Sequence, residues 1–424
     1  MKRTFLFITI LFLLGQCSIK DPDRSLTLPA VSTPQPAKES NSSGKPFIID
    51  AQSVPIDKLS SEKTDKGKSS RNAGKEYRPR IDSAGLTRQV AAKPRHADID
   101  LNEPVSRNFL LSKVENNEFG TMITLSKENF LKINFDNDIL NYTDRFYTNG
   151  IRIEVISPAF QYFPVSRLMV PYRRSGINYY GLSLVQNMYT PSTTKKEGIL
   201  YGDRPYSSYL YLGTYKITND PVHRFRQKSE MDIGVIGSYS LGEYVQKSFH
   251  SEVPTNTVPL GWEYQIKNDL VLNYSLAYEK GIFESRSFDM ILNGAGCLGT
   301  LYTNISGGFM LRTGVLNPYF ANLGIQKRKL NMQQGLRDFQ FFFFIKSSGT
   351  LVGYDATLQG GLFNKTSVYT INGSYISRAV FEGSAGITLV YRGMRIDAEQ
   401  FLLSPEFRNG WWHKWVHLGL TFAL

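Results

Sequence analysis

Leu131-Lys132-Ile133-Asn134-Phe135-Asp136 changes from apolar to polar at every step, and a period of two is the mark of a strand whose faces meet different environments. The pattern returns in Gly150–Ile156, where Ile151, Ile153 and Val155 stand opposite Arg152 and Glu154. It appears again as Val416, Leu418, Leu420, Phe422 and Leu424 against His417, Gly419, Thr421 and Ala423. Strands of about ten residues with an apolar outer face and a polar or small inner face describe an all-β fold, an antiparallel transmembrane β-barrel. A soluble β-sandwich is the competing reading. Arg152 and Glu154 in mid-strand suit a polar lumen, and a terminal strand that closes the ring leaves no edge in lipid. The alternation predicts strands near 122–138, 147–157, 177–189, 204–217, 228–240, 264–279, 286–301, 304–316, 338–348, 351–364, 367–376 or 380–393, 394–402 and 412–424, about twelve in number and even for a bacterial single-chain barrel.

The rest of the 424 residues divides by composition. After residue 17 no stretch reaches the roughly 18 apolar residues of a spanning helix. Only Phe5, Phe7, Phe12, Phe47 and Tyr77 among the aromatic residues precede residue 109, so residues 121–424 are assigned to the barrel. Residues 18–120, rich in Ser, Pro, Lys, Asp and Ala, bury too little apolar surface to offset chain entropy and read as a disordered periplasmic or surface tether. Lys2 and Arg3 followed by the apolar run Thr4–Leu14 form an export signal over residues 1–17. Leu14-Gly15-Gln16-Cys17 resembles a lipoprotein signal, leaving lipidation of Cys17 and ordinary cleavage both open. Cys297 is the only other cysteine, so disulfides do not staple the domain. Of the net charge of +12, about +7 falls on residues 121–424.

Several blocks carry a family resemblance. Asn137-Asp138-Ile139-Leu140-Asn141-Tyr142-Thr143-Asp144-Arg145-Phe146-Tyr147-Thr148-Asn149-Gly150 is followed by Tyr189-Thr190-Pro191, Gly202-Asp203-Arg204-Pro205-Tyr206 and Leu210-Tyr211-Leu212-Gly213. Then come Gly234-Val235-Ile236-Gly237, Val245-Gln246-Lys247-Ser248-Phe249-His250, Gly261-Trp262-Glu263-Tyr264-Gln265, Glu406-Phe407 and His417-Leu418-Gly419. In this order they resemble the outer-membrane lipid A 3′-O-deacylase family across roughly residues 122–424. The resemblance implies a twelve-stranded barrel with an external active site. It also implies a calcium-dependent esterase that removes the 3′-linked acyloxyacyl group of lipid A in the outer leaflet of the outer membrane.

That chemistry assigns roles residue by residue. Ester hydrolysis needs a base for water and an electrostatic partner for the oxyanion. By resemblance His250 is the general base, Asp138 a calcium ligand, Asn137 a ligand or hydrogen-bond donor, and Thr148 a group that orients the reactants. A family lysine falls on Lys195 or Lys196. The family's acidic residue after the histidine has no clean counterpart, leaving Glu252 or Glu263 as the further metal ligand. Strand parity predicts that Asp138 and Thr148 both face the lumen at adjacent ends of one hairpin.

Blander readings stand beside these. Asn137-Asp138 can simply start a turn, and Lys195-Lys196 can be a solvated pair. Asp203-Arg204 is expected as an inner-wall ion pair, Phe341–Phe344 as strand packing with two rings inward, and Trp411, Trp412 and Trp415 as an interfacial girdle. No Gly-x-Ser-x-Gly elbow, zinc cluster, phosphate loop or nucleic-acid motif occurs in the sequence. The positive charge suits a phosphorylated lipid, with no nucleic acid as partner, and the barrel is expected to be monomeric. The alternatives are an esterase for another envelope lipid, and a non-catalytic barrel whose tether binds the cell wall.

Overall fold

The computed structural model describes residues 123–424 apart from 139, 140, 142, 173–175, 253–257 and 329–334. The expected signal at 1–17, Cys17 and the tether at 18–120 lie outside the described residues. Thirteen strands follow in order: β1 (Ile123–Leu125), β2 (Phe130–Asn137), β3 (Phe146–Ile156), β4 (Gly176–Thr190), β5 (Ser207–Asp220), β6 (Phe225–Ile236), β7 (Asp269–Glu284), β8 (Phe288–Gly299), β9 (Tyr302–Val315), β10 (Phe339–Asp355), β11 (Ala379–Tyr391), β12 (Met394–Leu403) and β13 (His413–Ala423). Among the described residues the connections include the α-helices α1 (Gly242–Glu252) and α2 (Ala356–Gln359).

From β2 to β13 each strand pairs antiparallel with the next, and β13 returns to β2 through Leu418↔Phe135 and Phe422↔Leu131. The result is a closed barrel of 12 strands. The short β1 runs parallel to the start of β4, from Ile123↔Gly176 to Leu125↔Asn178, where β3 has already ended. Closure leaves the ring without an edge, which is what lipid demands of a sheet. Among the described residues no helix is long and apolar enough to cross a membrane.

The alternation sorts the side chains as the sequence predicts. Leu184, Leu212, Ile233, Ile305, Phe343 and Ile345 are exposed on the outer wall, where lipid rather than water is the solvent. Phe342 and Phe344 are buried inside while Phe341 and Phe343 face out. The lumen is filled with paired charges. Arg152 bridges Glu230 at 2.6 Å and Glu154 at 3.2 Å, and Lys228 reaches Glu230 at 2.6 Å. Such pairs roughly offset their own desolvation; their effect here is to make the interior of a lipid-embedded ring satisfiable.

Three expectations change. Segment 338–348 and the first five residues of 351–364 form one strand, β10, because Ser347, Ser348 and Gly349 pair on both sides, with Gly383, Glu382 and Phe381 and with Phe309, Gly308 and Gly307, while the rest of 351–364 is α2 and connection. Segment 367–376 is connection, and 380–393 supplies β11. Trp415 is buried and faces inward, stacked on Phe401 at 4.8 Å. It has the inward parity of His417, so only Trp411 and Trp412 stay exposed for a girdle.

Candidate active site

The connection between β2 and β3 folds around one carboxylate. Asp138 Oδ2 accepts from Thr143 Oγ1 at 2.8 Å and from the Arg145 N–H at 3.1 Å. Its backbone carbonyl accepts from the Asn141 N–H at 2.9 Å. Asp138 thus does organise a turn, but its second oxygen is engaged elsewhere: Thr148 Oγ1 lies 3.2 Å from Oδ1.

Thr148 is brought there by a bulge. Tyr147 pairs with Tyr189 and Asn149 with the adjacent Met188, so Thr148 is the extra residue of β3. A bulge re-aims a side chain, and this one turns the Thr148 hydroxyl between two acids. Asp144 Oδ1 is 2.9 Å from the same hydroxyl. A hydroxyl carries a single proton and cannot donate to both carboxylates. Thr148 therefore serves one carboxylate at a time. Burial pushes the Asp138 carboxyl up to about 8, with the charge of Asp144 adding to the shift against the hydrogen bonds from Arg145, Thr143 and Thr148.

Asp144 gathers the rest. Thr194 Oγ1 donates to Oδ2 at 3.0 Å and Gln246 Nε2 to Oδ1 at 3.1 Å. His250 Nε2 stands 3.8 Å from Oδ2. Gln246 and His250 are four apart on α1 and share one face. The Gln246 amide is fixed in orientation because Trp262 Nε1, which can only donate, binds Oε1 at 2.7 Å. Trp262 is fully buried and packs on Tyr206 at 4.8 Å between ring centroids.

The position of α1 decides which way this cluster faces. The turn before it is held by Gln186 Nε2, which donates to the Ser240 carbonyl at 2.5 Å, and by a hydroxyl contact between Ser208 and Ser240. Gln186 and Ser208 share the parity of Leu184 and Leu212 on the outer wall. Gly242 lets the helix approach, since a Cβ there would come 2.3 Å from Ser208 and 3.1 Å from Met188. Helix α1 therefore packs against the outer side of β4 and β5 at the rim. The cluster lies between barrel wall and helix, at the external rim, which departs from the expectation that Asp138 and Thr148 face the lumen.

The profile of the outer membrane protein LpxR family matches residues 110–424. The chain belongs to this family. LpxR from Salmonella typhimurium shares the fold with a TM-score of 0.55 at 20% identity, over 70% of this chain and 100% of that one. The β domain of the Bordetella autotransporter BrkA aligns with a TM-score of 0.37 at 8% identity, over 70% of this chain and 98% of that one. No curated protein sequence matches.

In this LpxR family member the residues singled out from sequence divide into two groups. Asp138, Thr148 and His250 join one cluster, and Asn137 ends β2 beside it, paired with Asn149. Lys195 and Lys196 are exposed, and it is their neighbour Thr194 that enters. The side chain of Glu252 lies outside the described residues, and Glu263 is exposed. Asp203 and Arg204 do not pair as side chains. Asp203 Oδ2 accepts from the Ser192 N–H and hydroxyl at 2.9 and 2.5 Å. Arg204, fully buried, pairs with Glu406, donates to Thr357 Oγ1 at 2.7 Å and lies 4.1 Å from the Tyr189 ring centroid. It ties the connections after β4, β10 and β12 into a cap over the LpxR barrel.

Asp144 is the residue that sequence reasoning passed over. Its signal was present, since it precedes the Arg-Phe-Tyr-Thr run, but only the fold shows that four partners converge on it.

Among the described residues no group of three or more His, Cys, Asp or Glu surrounds a common metal position. Asp138 and Asp144, both in reach of the Thr148 hydroxyl, are the carboxylates of the cluster whose oxygens suit a hard cation.

Proposed function

We propose that this protein is an outer-membrane ester hydrolase that removes the 3′-linked acyloxyacyl group of lipid A, with His250 as general base. Membership of the LpxR family supports the substrate class. The observation that carries the reading is the cluster's location, on the outward flank between α1 and the barrel wall. A bilayer lipid reaches that flank laterally, with its acyl chains on the apolar wall and its sugar at the rim.

The reaction follows from the side chains. His250 takes a proton from water as its oxygen attacks the ester carbonyl. Asp144 holds the imidazole in place and favours the imidazolium that forms, while Gln246 and Thr194 hold Asp144. Thr148 orients the acid pair. The carbonyl–oxygen bond to the sugar then breaks, and the imidazolium returns its proton to the departing alkoxide. The products are a free acyloxyacyl acid and a sugar hydroxyl. A calcium ion held by Asp138 and Asp144, with Asn137 next to Asp138 and Glu252 two residues after His250 as candidates to complete its shell, would polarise the carbonyl and offset the oxyanion charge.

The test uses purified full-length protein in vesicles containing lipid A and calcium, read by release of the acyloxyacyl acid. The wild-type chain is expected to release it, His250→Ala to lose about 10²–10⁴-fold in rate, and chelation to suppress release reversibly. A folded wild-type barrel that releases no acid at saturating calcium overturns the reading.

A further inference from the structure

Helix α1 has three faces where an ordinary surface helix has two. At roughly 100° per residue, Gly242, Gln246 and His250 form the face toward the wall and the acid cluster. Glu243 and Lys247 form a second, joined by a 2.7 Å ion pair. Leu241, at the start of the helix, continues into a third with Tyr244, Val245 and Ser248. On that side Leu241 is 54% exposed, Tyr244 71% and Val245 37%, and Tyr239 in the preceding turn is 71% exposed.

This apolar edge is continuous with an interface already described. The turn at Ser238–Ser240 is bonded to Gln186 and Ser208 on the outer wall, in line with the exposed Leu184, Leu212 and Ile233 of the lipid belt. In water, an exposed Tyr-Leu-Tyr-Val edge would cost solvation free energy. At the boundary between headgroups and acyl chains, aromatic rings with a polar tip are at home.

We propose that the Tyr239–Val245 edge of α1 docks into the outer leaflet, its partner being the acyl chains and glycerol or sugar backbone region of the lipids beside β4 and β5. Six residues, about 9 Å of helix axis, separate Tyr244 from His250. Docking thereby sets the depth at which the histidine meets the membrane, and α1 acts as an interfacial foot as well as a carrier of side chains. This inference rests on the barrel's place in the outer membrane and not on the reaction proposed above.

Nitroxide labels give the test without any activity readout. In full-length protein with Cys17→Ser and Cys297→Ser, single labels are placed through Tyr244→Cys, Leu212→Cys and Lys196→Cys in phosphatidylethanolamine–lipopolysaccharide proteoliposomes. Heat-modifiable gel migration verifies that each barrel is folded. The label at 244 is expected to match that at 212, with oxygen collisions retained and collisions with a water-soluble nickel chelate lost relative to 196. A label at 244 as open to the nickel chelate as that at 196 overturns the proposal. Should Tyr244→Cys fail to fold, Leu241→Cys takes its place with the same two outcomes.

Discussion

At the residue scale Asp144 carries more contacts than any side chain chosen from the sequence. Changing it to Asn keeps the shape but removes the carboxylate charge that stands 3.8 Å from His250 Nε2. Asp144→Asn is expected to lower kcat by about 10²-fold or more with KM little changed, measured by release of acyl product. Trp262→Phe leaves Gln246 Oε1 buried without its donor, and an unmet buried acceptor costs about 1–3 kcal/mol. A drop in kcat together with lower local hydrogen-exchange protection in α1, and not in the strands, checks it. A third residue lies at the opposite rim. Burial raises the Glu128 carboxyl to about 7, against a backbone hydrogen bond and the charge from Lys327, and its Oε1 is buried without a partner. A carboxyl raised by folding favours the native state at low pH, and that contribution is lost as pH rises through about 7. Glu128→Gln should therefore raise the unfolding temperature at pH 8 but not at pH 4, by about 1 kcal/mol of stability after allowance for its partial exposure.

At the element scale the strands were legible and the site was only partly so. Alternation announces β2, β3 and β13 because lipid and lumen impose opposite demands on successive residues. It says less where both faces are alike. Ser347-Ser348-Gly349 looks like a turn yet continues β10, since small residues are acceptable on either side of a lumen crowded with Lys346 and Glu399. The Thr148 bulge has no local signature, and it is what aims that hydroxyl between Asp138 and Asp144. The seating of α1 depends on Gly242, whose missing Cβ matters only once Ser208, thirty-odd residues earlier, is brought beneath it. Gly242→Val should push the helix off the wall, cutting activity at least about tenfold while the barrel keeps its heat stability, as cavity-free overpacking is local. Circular dichroism melts read beside turnover separate the two effects.

At the scale of the whole molecule the described residues fill much of the lumen with side chains and a folded-in connection. Residues 316–328 fold inward between β9 and β10. Arg226 donates to the carbonyls of Tyr319 and Asn322 at 3.1 and 2.9 Å, and Asn219 Nδ2 to that of Phe320 at 2.5 Å. Phe320 and Ile325 are buried there, below the layer of Arg152, Glu154 and Glu230. Planar-bilayer recordings of the purified barrel should show no steady ion conductance. That expectation sets the molecule apart from a pore with a tether and leaves the rim as the working surface. The net positive charge also reads differently once the fold is known. Much of the lumenal part is paired with acids, as with Arg152, Lys228, Lys346 and Arg395. Exposed Lys195 and Lys196 beside the cluster remain to meet a phosphorylated lipid.

The central claim is that a His250–Asp144 pair on the outer flank cleaves lipid A at its 3′ side. Mass spectrometry of lipid A from cells making the wild-type chain, His250→Ala or Asp144→Asn, each with the barrel verified in the outer membrane, tests it most directly. Loss of one acyloxyacyl mass from the 3′ position is expected with wild type, and intact lipid A with both variants. Lipid A unchanged by the wild-type chain, or trimmed equally by His250→Ala, would contradict it.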